Sequence, residues 1–164
     1  MRVKKLLSAA VALTILSGTC TVNATETSDM DTWICDEYKQ YIYEISDEYH
    51  VCPELIMAIT EKESSGKANA KNGNCKGLMQ VYDKWHSDRM KRLGVTDIYN
   101  PKQNILIGTD YIAELAAEYE DIYTALMIYN GTSNAVEKAE MGQYSDYAIE
   151  IVKRSEQLER VHGK

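Results

Sequence analysis

Phenylalanine is absent from this chain of 164 residues, and proline occurs only twice. Twelve tyrosines take the place of phenylalanine, so aromatic packing must be tyrosine packing. Histidine is scarce too: His50, His86 and His162 are dispersed, and no pair stands at zinc-like spacing with the cysteines. No glycine-rich phosphate loop occurs, so neither a metal nor a cofactor is expected. Convincing strand runs and internal repeats are missing. Basic residues are outnumbered 18 to 25, a net charge of −7, which argues against a nucleic-acid partner. The same balance gives an anionic membrane no electrostatic hold on the chain.

Long apolar runs are lacking as well, except at the start. Leu6 to Leu16 is apolar apart from Ser8 and Thr14, and is too short for a comfortable membrane span. Arg2, Lys4 and Lys5 precede it, and Val22-Asn23-Ala24 follows with small side chains. This pattern reads as a signal peptide over residues 1–24, a short tether over 25–30 and one domain over 31–160, secreted and expected to be monomeric. Thr19 fits poorly before a lipidated Cys20, and cleavage after Ala24 removes that cysteine. Losing the three leader cations takes the charge from −7 to −10.

Cys35, Cys52 and Cys75 remain, an odd count that allows one internal disulfide at most. Cys35 and Cys52 stand at opposite ends of a predicted helix, too far apart to bridge. Cys35 with Cys75 is the more feasible pair; the alternative is three small buried apolar residues, which suits Cys52 best.

What is present is helical periodicity. Ile34, Tyr38, Tyr41, Ile42, Ile45 and Tyr49 recur on one face of a helix over 31–49. Pro53 opens a second helix. A third is expected from Gly77 or Leu78 to Leu93, stopped by Gly94. Asn100 caps a fourth and Pro101 starts it; Asp121 caps a fifth that reaches Tyr129. A short piece near 133–139 and a last helix over 144–158 follow. The expected class is all-α, a helical domain with room for a small hairpin after Glu63.

The second helix holds the most informative residue. At about 100° per residue, Cys52, Leu55, Ile56 and Ile59 share a side, and Glu63 falls in the middle of that apolar stripe. Glu61 falls opposite, with Glu54 and Met57. A carboxylate on a buried face is costly unless it is paired, protonated or at work. The C-terminal turn offers it no positive dipole. Both effects raise its pKa, which suits a general acid whose activity is lost between about pH 5 and 7.

Glu63-Ser64, Gly77-Leu78-Met79-Gln80, Asn100-Pro101 with Asn104 and Gly108, Tyr129-Asn130-Gly131 and Tyr147 follow in that order. In series they resemble the soluble lytic transglycosylase domain, which is lysozyme-like of the goose type. The resemblance covers about Tyr49 to Arg154. It implies a lysozyme-like helical fold and peptidoglycan glycan strands as substrate, in a protein associated with the cell wall. It also implies one catalytic carboxylate. That acid protonates the bond between N-acetylmuramic acid and N-acetylglucosamine, then takes a proton from the C6 hydroxyl, leaving a 1,6-anhydromuramic end. Glu63 is then the catalytic residue. Ser64, Met79, Gln80, Tyr129, Asn130 and Tyr147 are the substrate-binding candidates, with the two tyrosine hydroxyls free to reach Glu63 or the sugar. Asp83, Asp110 and Glu114 have no motif and read as solvated. The family usually shows Ala-Tyr-Asn-Ala-Gly where this chain has Ile128-Tyr129-Asn130-Gly131-Thr132, which bears on substrate detail. The competing readings are a hydrolase of the same bond and a non-catalytic glycan-binding module.

Overall fold

Local capping signals set where several helices begin. In the computed structural model, Asn100 accepts from the Gln103 amide and Pro101 opens its helix. Asp121 accepts from the Tyr123 and Thr124 amides, and Ser145 from the Ala148 amide. These bonds satisfy amides that a helix start leaves without intrahelical partners.

The structure describes residues 30–164. The signal peptide over 1–24 and all of the tether but Met30 lie outside the described residues. Seven helices follow in order, with one small hairpin. They are α1 (Asp36–Tyr49), α2 (Pro53–Ser64), β1 (Lys71–Asn72), β2 (Cys75–Lys76), α3 (Ser87–Leu93), α4 (Pro101–Glu118), α5 (Ile122–Tyr129), α6 (Ala135–Glu140) and α7 (Asp146–Val161). β1 and β2 pair antiparallel, with Lys71 opposite Lys76 and Asn72 opposite Cys75. The all-α class holds, and the hairpin sits in the loop after Glu63. No described helix is long and apolar enough to cross a membrane.

Helix α2 is the centre of the packing. It lies against α7 and α1, while α4 packs on α1 and α5. Every residue from Glu54 to Glu61 is buried. This corrects the expectation that Glu61 faces away from the core: a helix enclosed on several sides has no solvent face. The two acids on that side survive burial because each is paired. Arg154 on α7 donates to Glu61 from Nε (2.7 Å) and Nη2 (3.2 Å). Glu54, with no exposed surface, accepts from Lys164 Nζ at 2.9 Å and meets His162 Nδ1 at 2.9 Å. Burial raises the Glu54 carboxyl, but the bonds from Lys164, His162 and Cys52 outweigh it and bring the pKa to about 2.

Helix α1 begins at Asp36, five residues later than expected. The segment before it is a strap held to α7: Arg154 donates to the carbonyls of Met30 (3.0 Å) and Asp31 (3.4 Å). Asp31 also meets His162 Nε2 at 2.9 Å.

The expected helix from Gly77 or Leu78 to Leu93 exists only as α3. Residues 77–86 form turns around a bridge between Lys76 and Val81, with Gly77 at φ +78° and Gln80 at φ +48°. The cause is a side chain from α4. Asn104, fully buried, donates to the carbonyls of Lys76 (2.9 Å) and Ile98 (2.8 Å) and accepts from the Met79 amide (2.8 Å). A β-carbon at Gly77 would collide with the Asn104 side chain, so only glycine fits there.

All three described cysteines are free, so Cys35 and Cys75 are not bridged. Cys35 is exposed. Cys52 is not a bland apolar residue: its thiol donates to Glu54 Oε2 at 3.1 Å, and burial leads the rise of its pKa to about 11.

Candidate active site

The end of α2 carries Glu63 to where α7 crosses it. The Tyr147 hydroxyl, from the first turn of α7, donates to Glu63 Oε1 at 2.6 Å. Glu63 is partly buried, and burial raises its pKa above the ordinary 4.5. The Tyr147 bond and the nearby Lys62 charge oppose that rise without cancelling it. Burial and the Glu63 charge push the Tyr147 phenol far up, so Tyr147 acts only as a donor. Tyr147→Phe removes a donor that favours the ionised acid, so the Glu63 pKa rises further. The alkaline loss of activity should therefore move to higher pH, as read from kcat/KM against pH.

A cavity of about 300 Å³ is lined by Cys75, Gln80, Tyr129 and Asn130, among others, with Glu63 and Tyr147 outside the lining itself. Glu63 stands close: its charge contributes to raising the Cys75 thiol and the Tyr129 phenol, in each case after burial. None of the residues lining the cavity is Asp or Glu.

The six binding candidates separate on inspection. Tyr147 meets the acid directly. Tyr129 does not: its hydroxyl donates to the Met79 carbonyl at 2.9 Å, and its ring stacks on Tyr111 at 5.4 Å. It is a cleft wall rather than a partner of Glu63. Gln80 lines the cavity, its Nε2 donating to the Gly77 carbonyl at 2.8 Å. Its Oε1 is buried with no protein partner, an acceptor in want of a donor. Asn130 closes α5 and is exposed at the cavity rim. Met79 and Ser64 depart from expectation. Met79 has no exposed surface and packs against Gly108, so its side chain does not line a sugar path. Ser64 is buried and donates back to the Thr60 carbonyl at 3.1 Å, the helix-end bond such hydroxyls commonly make.

Of the acids read as solvated, Asp110 is the one the structure buries, while Glu114 is exposed and Asp83 half-exposed, each in an ion pair. Asp110 is buried and accepts from Arg89 Nε (2.6 Å) and from both Arg92 terminal nitrogens (3.0 and 2.7 Å). Glu114 accepts from Arg89 Nη2 at 2.6 Å, and Asp83 from Lys76 at 2.6 Å.

The family model of the transglycosylase SLT domain matches residues 40–152. The chain belongs to this family. Over 90 residues it is 37% identical to a protein named transglycosylase from Enterobacteria phage PRD1, covering 54% of this chain and 32% of that protein. Over 104 residues it is 35% identical to membrane-bound lytic murein transglycosylase E of Buchnera aphidicola subsp. Acyrthosiphon pisum (strain APS), covering 54% and 47%. Over 118 residues it is 34% identical to membrane-bound lytic murein transglycosylase C of Actinobacillus pleuropneumoniae serotype 5b (strain L20), covering 62% and 32%. The chain spans about a third to a half of the length of these relatives.

The SLT domain also exposes cleft residues that the sequence pattern did not single out. Tyr82, Trp85, His86, Arg89 and Tyr111 all line the cavity. The first four fall within the stretch up to Leu93 expected as one helix, of which the structure keeps only α3. The polar, aromatic run Tyr82-Asp83-Lys84-Trp85-His86 has no apolar period, and that was the available signal for a cleft loop.

Proposed function

We propose that this SLT domain is a peptidoglycan lytic transglycosylase acting on the bond between N-acetylmuramic acid and N-acetylglucosamine, with Glu63 as its single acid and base. The observation that carries the reading is a partly buried, pKa-raised carboxyl held by Tyr147, near a cavity none of whose lining residues is Asp or Glu. Ordinary glycosidases set two carboxyl groups across the bond. A lone acid suits a reaction that needs no activated water. The Glu63 proton passes to the glycosidic oxygen, the C1–O bond breaks, and N-acetylglucosamine leaves with its hydroxyl restored. The Glu63 carboxylate then accepts the C6 hydroxyl proton as O6 bonds to C1. The acid is regenerated and a 1,6-anhydromuramic end results. The names of the similar proteins, two of them lytic murein transglycosylases, agree with this substrate.

Mass spectrometry of muropeptides released from purified wall tests the reading. Anhydro ends, lighter by one water than reducing ends, are expected. Reducing ends would assign a hydrolase, and no release a binding module.

The leader pattern supports action outside the cytoplasm, where the protein would meet the wall through the cleft rather than through global charge. Intact-mass measurement of secreted protein should find a chain beginning at Thr25. A lipid-modified Cys20 at the N-terminus would replace that assignment.

A further inference from the structure

Helices α2 and α7 run antiparallel and are fastened to each other at three levels. Tyr147 meets Glu63 where α2 ends, Arg154 meets Glu61 farther along, and His162, the residue after α7, meets Glu54 where α2 begins. The first contact serves the candidate acid and the second the core. The third also takes in the strap before α1.

His162 Nδ1 lies 2.9 Å from Glu54 Oε1, and Nε2 lies 2.9 Å from Asp31 Oδ1. An ionised carboxylate only accepts, so each ring nitrogen must carry a hydrogen to satisfy both. Only the imidazolium does so. A neutral ring has one N–H and would turn a lone pair toward one of the two carboxylates. The other groups around the ring are set as follows. Lys164 Nζ shares Glu54 at 2.9 Å, and Lys39 Nζ shares Asp31 at 3.2 Å. From α1, the Tyr43 hydroxyl stands 3.2 Å from Nδ1; burial, then the Glu54 charge, raise its pKa and keep it neutral. The Cys52 thiol donates to Glu54 and lies 3.6 Å from Glu159 Oε1. Burial by itself would lower the imidazole pKa, but the bonds to Asp31 and Glu54 outweigh it and raise the value above 6.5. In return, the bond to His162 leads the fall of the Asp31 pKa to about 2.

We propose that His162 is a proton-controlled latch: as the imidazolium it fastens the strap to the junction of α2 and α7, and on losing a proton it keeps Glu54 and releases Asp31. Glu54 has no exposed surface, so a lost donor is costly there. The Asp31 side chain is 49% exposed and can turn to water instead. The stability that the latch adds is complete below the unfolded value of about 6.5 and is lost as pH rises through the raised folded one. The latch is closed while the ring is charged and both carboxylates are ionised, from above about pH 2 up to that raised value. Above it, the strap keeps its bonds to Lys39 and Arg154. The helical rise puts Glu54 and Glu63 about 14 Å apart, so the latch acts on the strap and on stability, not on the acid.

Trp33 makes the test direct, because it lies two residues after Asp31 and is one of two tryptophans in the chain. Its ring stands 5.3 Å from the Arg154 guanidinium. In the full chain carrying Trp85→Phe, Trp33 emission is followed between about pH 5 and 9, beside NMR titration of the His162 ring protons. The emission should step at the His162 midpoint, and that midpoint should stand above 6.5. Asp31→Asn leaves the buried Glu54 pairs in place; it should lower the midpoint and remove the step. His162→Gln should remove the step as well and flatten the alkaline fall of Tm. If His162→Gln does not fold, the parent titration and Asp31→Asn decide. A His162 midpoint at or below 6.5 overturns the latch, as does an emission step that persists unchanged in Asp31→Asn.

Discussion

Glu63→Gln lowers wall lysis by at least about a hundredfold, the lower range for loss of a general acid. The amide keeps the shape and can still accept from the Tyr147 hydroxyl, so the fold is retained. The same variant carries a second, opposite expectation. Burial raises the Glu63 pKa above 4.5, so the folded state holds this proton more tightly than the unfolded chain does. Folding stability due to this group is greatest at acid pH. It falls as pH rises from about 4.5 through the raised folded value, above which the cost of a buried carboxylate is complete. Glutamine carries no such cost. Glu63→Gln should therefore melt higher than the unaltered protein at neutral pH while being inactive. Denaturant melts at pH 4 and pH 8, set beside turbidity loss of wall suspensions, check both parts. Retained lysis, or equal loss in Glu61→Gln, would remove Glu63 from the reaction.

Arg154→Ala should destabilise the fold by about 3–5 kcal/mol, because it strands a buried carboxylate. Glu61 has only 3% of its side chain exposed, and its two oxygens accept from Arg154 at 3.2 and 2.7 Å. The arginine also ties down the Met30 and Asp31 carbonyls and lies 5.3 Å from the Trp33 ring. Its loss should free the strap as well as leave the charge unpaired. For a domain of this size the shift in Tm is on the order of 10 °C. Glu61→Gln should be milder, since the amide oxygen still accepts from Arg154 and no carboxylate is stranded. Calorimetric melts with activity measured on the folded fraction separate this effect from catalysis: per folded molecule, both variants keep their lysis. A Tm within a degree of the parent would show that the pair is solvated.

The contrast between these two glutamates explains what was legible. Helical periodicity placed Glu63 on an apolar stripe, and its partial burial agrees. The same count put Glu61 on an open side, because periodicity sees one helix and not what lies around it. Only the approach of α7, bringing Arg154 to Glu61 and Tyr147 to Glu63, distinguishes a structural carboxylate from a candidate acid. The tyrosines show the same limit. Both motif tyrosines carry a hydroxyl, and chain order does not say which reaches Glu63. The structure gives that position to Tyr147 and turns Tyr129 to the Met79 carbonyl.

By itself the sequence determined the all-α class, the starts of the helices behind Asn100-Pro101, Asp121 and Pro53, and the motif series that marks the family. These are local matters: a cap acts within one turn, and an apolar repeat within one helix. Tertiary structure alone decided the turns over 77–86 and the cleft wall built on them. There the buried Asn104 of α4 takes up the backbone groups of Lys76 and Met79, across more than twenty residues of chain. A helix over that stretch is shut out because Gly77 and Gln80 are held at positive φ, while the side-chain amide satisfies the Lys76 carbonyl and the Met79 amide inside the core, where leaving either unpaired is costly.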